Sequence, residues 1–110
     1  MPGEANDLLH GALELLVLKT LSWGPKHGYA IASRLEELSD DHLQIEEGSL
    51  YPALYRLERK GLVKAEWGVS ELNRRVKLYR LTQTGRQALA AETSKWNLFA
   101  GVVAKVLSTA

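Results

Sequence analysis

Three helical periodicities, two short alternating runs around a basic loop, and a long closing helical stripe predict a mainly α chain with a small β-hairpin. Its 110 residues fit one domain. With 45% hydrophobic and 25% charged residues, the balance is globular and excludes a largely disordered chain.

Asp7 is a good N-cap for the first helix, where Leu9, Ala12, Leu13, Leu16, Val17 and Thr20 recur at helical spacing. Leu8, Leu15, Leu18 and Leu21 widen this stripe to most of the circumference. Such a helix is expected to bury two sides, one in its own domain and one, including Leu9 and Leu16, against a second subunit. Trp23-Gly24-Pro25 ends it. A second helix is predicted over about 28–38, with Ile31, Leu35 and Leu38 on one face, closed by Ser39-Asp40-Asp41.

The third helix, about 47–60 and stopped by Gly61, carries the most information. Leu50, Ala53, Leu54 and Leu57 form its inner stripe. Steps of about 100° place Gly48, Pro52, Tyr55, Arg56 and Arg59 on the other side, with Tyr51 at the margin. Pro52 conflicts with a simple helix, yet the periodicity continues on both sides of it.

Two strand-like runs follow, 62–67 and 76–81. Val63, Ala65 and Trp67 alternate with Leu62, Lys64 and Glu66, while Tyr79 and Leu81 share a face opposite Leu78 and Arg80. Residues 68–75 read as an exposed hairpin loop with a basic exit. Thr82 caps a last helix reaching about Leu107, striped by Leu89, Trp96, Phe99, Val102, Val103, Val106 and Leu107. Trp23 and Trp67 are expected to pack in the core or against the strands.

Charge is segregated. The formal net charge is only +1, but residues 56–80 hold eight basic side chains against three acidic ones, net +5, just after an acidic stretch from Glu36 to Glu47. That is the footprint of one anion-facing surface; a solvated charged face without a partner is the plainer reading.

Three helices followed by a two-stranded hairpin is the order of a winged helix-turn-helix, here with an added C-terminal helix. In that design the third helix enters the DNA major groove and the hairpin loop lies along the backbone. Tyr51, Tyr55, Arg56 and Arg59 supply the long donors and flat groups such a face needs. Gly48 and Ser49 leave the helix N-terminus open to a phosphate. Arg74, Arg75 and Lys77 would neutralise phosphates from the wing. Each has a structural alternative: the tyrosines as hairpin packing, the arginines as solvated charge. Glu46 and Glu47 read as partners of the helix dipole.

The stretches His27-Gly28-Tyr29-Ala30-Ile31, Glu47-Gly48-Ser49-Leu50-Tyr51-Pro52 onward to Gly61-Leu62, and Asn73-Arg74-Arg75-Val76-Lys77 onward to Leu81-Thr82 resemble the PadR family of bacterial transcriptional regulators. The likeness runs from about residue 8 to 89, and the Glu66-Trp67-Gly68 wing is similar to a compact subfamily often seen in acidobacterial sequences. The resemblance implies a dimer through the first and last helices, a palindromic operator, repression, and in several members release by an aromatic effector. It assigns Ser49, Tyr51, Tyr55, Lys60 and the wing cations to DNA. Lys60 comes from the resemblance alone. Two positions depart from the family pattern: Leu72-Asn73 stands where a glycine pair is usual, which bears on wing flexibility, and Leu78 replaces a frequent tyrosine.

Trp96, Phe99, Val103 and Val106 extend beyond what a winged core can cover, so a second copy is the expected partner. A two-fold dimer would set its recognition helices about 34 Å apart and require a palindrome. For Trp96 two readings stand, a stacking platform for a planar aromatic effector and plain interface packing.

Other classes fare worse. The chain has no cysteine, which excludes disulfides and cysteine-based zinc sites. His10, His27 and His42 lie on separate segments, and no nucleophile–base pair or phosphate-cradling glycine loop appears, so neither catalysis, a metal nor a cofactor is expected. A winged helix serving only protein interaction is disfavoured by the basic wing and the Tyr55, Arg56 and Arg59 face. The first residues lack a signal-peptide pattern, and the apolar stretch 13–21 is too short to span a bilayer, so a cytoplasmic protein without membrane attachment is expected.

Overall fold

The computed structural model describes Asn6 and residues 8–110. Helix α1 spans Leu13–Leu21 after a single 3-10 turn at Leu9–Gly11. It starts later than the apolar stripe suggests, because Ala12 leaves helical geometry at φ −121°, next to Gly11, a weak helix former. The break lets Leu9 and Leu13 both enter the core. Leu9, expected at a partner interface, is thus covered by its own chain. Asp7, the expected N-cap, lies outside the described residues.

Strand β1, Lys26–His27, follows the turn at Gly24, whose φ of +128° suits glycine. Two residues are too few to show an alternation, so this strand left no pattern to read. Helix α2, Gly28–Leu38, is capped by His27, whose Nδ1 accepts from the Ala30 N–H at 3.3 Å. Asp40 and Asp41, both with positive φ, turn the chain toward α3, Glu47–Arg59. Pro52 sits inside α3 on its exposed side, so the Gly48 carbonyl that loses its helical partner faces water.

Strands β2, Val63–Val69, and β3, Arg75–Leu81, are longer than expected and leave only residues 70–74 as the turn. The sheet order is β1-β3-β2, antiparallel throughout. Val63 pairs with Leu81 and Ala65 with Tyr79, which turns this face onto the helices. Asn73 takes φ +59° in the turn, and its N–H donates to the Ser70 carbonyl at 2.9 Å. Asparagine therefore holds a left-handed position of the kind glycine usually takes. Leu78 covers Gly68 across the ladder, filling space a larger residue at 68 would need.

The leucine stripe of α3 (Leu50, Leu54, Leu57) is buried against Val17, Leu21 and Ile31 from α1 and α2. Burying each such side chain contributes on the order of 2 kcal/mol. Neither Trp23 nor Trp67, each expected in the core or packed against the strands, lies in the core. Trp23 is 50% exposed, with Lys19 Nζ and Arg34 Cζ 5.3 and 5.6 Å from its ring. Trp67 is 62% exposed, because β2 runs past the helices before reaching it.

Helix α4, Gln83–Leu107, is capped by Thr82, whose hydroxyl accepts from the Gly85 N–H at 2.9 Å. Gly85 is the buried contact, seated under the Leu62 carbonyl. From Ala90 onward every residue is exposed. The radius of gyration is 15.1 Å, against about 13 Å for a compact chain of this size, so α4 projects from the body.

Candidate nucleic-acid interface

With the leucines fixed inward, the remaining α3 side chains divide three ways. Gly48, Pro52, Tyr55 and Arg59 face directly outward. Tyr55 is 59% exposed, and the Arg59 guanidinium lies 5.7 Å from its ring. A cation stacked on an exposed ring at the helix surface is suited to a sugar-phosphate edge or a base.

Tyr51 lies on the flank toward the wing. Its hydroxyl rests against Gly28, where a methyl group would come within 2.5 Å. Beyond it opens a groove of about 590 Å³, walled by His27, Tyr29 and Tyr51 on one side and by Trp67, Arg75 and Lys77 on the other. Arg74 also lines it. Arg75 stacks over Trp67 at 4.4 Å, while His27 and Tyr29 lie ring to ring at 6.4 Å. The groove therefore combines aromatic walls with three cations. Tyr79, buried where the sheet meets Tyr51, has its hydroxyl pKa pushed up by burial, then by the nearby charges of Glu58 and Tyr51.

Arg56 and Lys60 lie on the opposite flank, toward α1, and both reach Glu14. Glu14 Oε2 accepts from Arg56 Nε at 3.0 Å, and Oε1 from Lys60 Nζ at 2.9 Å. Partial burial pushes the Glu14 carboxyl up, but hydrogen bonds from Lys60 and Arg56, and their charges, together hold it below its ordinary value. Ser49 is exposed near the start of α3, beside Leu13 and Gln44. Glu47 occupies the first turn, where a carboxylate favours the helix dipole.

The structure thus brings Tyr51, Arg74, Arg75 and Lys77 to one groove and sets Tyr55 and Arg59 on the outer face. Arg56 and Lys60 are engaged with an acid instead. Sequence reasoning missed Glu14, His27, Tyr29 and Trp67 as parts of this surface. A lone acid in an apolar helix was the only available signal for Glu14.

A model of the transcriptional regulator PadR-like family matches residues 17–91. Transcriptional regulator Rv3488 of Mycobacterium tuberculosis is 36% identical over 86 residues, 78% of this chain and 77% of that protein. The solved structure of a transcriptional regulator from Clostridium thermocellum superposes with a TM-score of 0.81 at 30% identity, covering 90% of this chain and 96% of the other. A PadR family transcriptional regulator from Eggerthella lenta gives 0.78 at 35% identity, covering 94% and 88%. These relatives are regulators rather than enzymes, and no helix among the described residues is long and apolar enough to cross a membrane. With a winged helix-turn-helix architecture and a family match over most of its length, the chain belongs to the PadR-like family of DNA-binding transcriptional regulators.

Proposed function

We propose that this regulator binds a palindromic operator as a homodimer and represses transcription. Residues 1–81 serve as its DNA-reading part and residues 82–110 as its dimerisation helix. The observation that carries this reading is the division of α3, with leucines buried inward and Tyr55 and Arg59 outward, beside a cationic wing groove. Tyr55 and Arg59 meet the major groove, with Ser49 at the helix start. Tyr51, Arg74, Arg75 and Lys77 hold the adjacent backbone, and Arg56 and Lys60 approach phosphates from the other flank.

The dimer reading is supported by α4. Phe99 is 60% exposed, and Trp96, Val103 and Val106 continue the same uncovered apolar stripe. A partner copy buries it, with half-buried Leu16 of α1 as a further contact.

A cleft of about 570 Å³ between α1 and α4, walled by Leu15, Leu18, Trp96 and Phe99, supports binding of a planar aromatic effector that releases DNA. The tilted contact of Trp96 with Phe99, 6.4 Å between centroids, favours a second reading, plain packing at the dimer interface.

Selection of bound duplexes from a random pool tests the operator reading; recovery of no symmetric consensus would overturn it. Replacing Arg74 and Arg75 with Gln should reduce the slope of log affinity against log salt by roughly 2. Calorimetric titration with planar aromatics tests the effector, which fails if no compound binds wild type better than Trp96→Ala.

A further inference from the structure

Arg56 in the last turn of α3 and Lys60, the residue that caps its C-terminal end, are both committed to a single carboxylate on α1, one to each oxygen. Among the described residues no other carboxylate takes two cations. The side chains of Arg56 and Lys60 remain 47% and 56% exposed, so the cationic ends stay open to an approaching anion. The three charges together present +1 rather than +2. An approaching phosphate must therefore compete with the carboxylate for the same donors and meet its repulsion.

We propose that Glu14 is a restraining residue of the DNA surface: it occupies Arg56 and Lys60 in the free protein and thereby lowers sequence-independent affinity for duplex DNA. This inference rests on the DNA-binding reading above. Phosphate contact carries no sequence information, so an unrestrained pair of cations would strengthen binding to every duplex alike. Withholding them leaves a larger share of the discrimination to the outward Tyr55 and Arg59. The restraint is graded, since exposed ion pairs are individually weak and exchange partners readily. Its location also matters: Glu14, Lys60, Trp96 and Phe99 line the same cleft, so the carboxylate sits between the recognition helix and the projecting helix.

The test uses Glu14→Gln, which keeps the side chain's shape and removes its charge. Binding of the full chain to a random-sequence duplex is followed by fluorescence anisotropy across a salt series. Glu14→Gln should bind roughly 2- to 30-fold more tightly at moderate salt, the range that freeing two exposed pairs allows. The salt slope should steepen by about 1 to 2, since each cation that gains a phosphate adds about 0.9. Adding Arg56→Gln and Lys60→Gln to that variant should abolish the steepening, bringing the slope to the wild-type value or below it. An unchanged or shallower slope in folded Glu14→Gln overturns the proposal, a shallower one meaning that Glu14 aims the cations at DNA. If Glu14→Gln fails to fold, Arg56→Gln with Lys60→Gln in the wild-type background decides. A slope loss well below 2 supports the restraint, and a loss near 2 overturns it. Wild type that binds no duplex at any salt overturns the DNA-binding reading as well; wild-type binding with an unaltered Glu14→Gln slope overturns this inference alone.

Discussion

The Tyr51 ring is seated on Gly28: a Cβ at position 28 would lie 2.5 Å from its hydroxyl oxygen and 2.7 Å from the carbon bearing it. Helix α3 and the wing groove meet at this contact. Gly28→Ala should push the ring aside, because the ring is rigid but 44% exposed and has somewhere to go. Stability should change little, while duplex affinity falls about 3- to 10-fold, the worth of one polar contact. Thermal melting beside anisotropy checks this. Equal effects of Gly28→Ala in wild-type and Tyr51→Ala backgrounds would show that the ring is not the intermediary.

The projecting stripe of α4 gives a second expectation. Phe99→Glu or Val103→Glu places a charge in the proposed two-fold interface and should weaken the dimer by at least about 30-fold. Sedimentation should then report monomer at concentrations where wild type is dimeric. A wild type that is monomeric throughout would remove the dimer reading.

Gly85 is required for another reason. A Cβ there would come within 2.0 Å of the Leu62 carbonyl oxygen, a backbone atom that cannot rotate away. Gly85→Ala should destabilise the chain by about 1–3 kcal/mol as α4 is forced off the body. The gain in helix propensity, at most about 1 kcal/mol, does not offset this. Denaturant midpoints measure the change, and an unaltered midpoint would contradict the packing described.

Tyr79 predicts an alkaline limit. Its folded pKa is raised above the ordinary value of 10.0 by burial, with Glu58 and Tyr51 adding to the effect. Stabilisation by the neutral phenol is fully present below pH 10.0 and is lost as pH rises from there through the folded pKa, because the unfolded chain ionises first. Tyr79→Phe should flatten the stability profile in that window. Equal alkaline slopes for the two proteins would refute the assignment.

Much of this molecule was legible in its residues. The bounds of α2, the close of α3 at Gly61 and the Thr82 cap of α4 follow from periodicity and capping chemistry, which act over a few neighbouring residues. Strand β1 was not legible, since two residues carry no period and take their conformation from β3. Trp67 misled for a related reason: it alternates correctly with Val63 and Ala65, but how far the helices extend beneath β2 is no property of the strand.

The same division holds for the candidate site. The spacing of Leu50, Leu54 and Leu57 already dictated that Tyr55 and Arg59 turn outward, because one helix can bury only one stripe. It could not disclose that Arg56 and Lys60 meet Glu14, that Tyr51 rests on Gly28, or that Leu9 turns inward. Contacts between residues far apart along the chain depend on how whole elements pack, and only the assembled fold sets those distances.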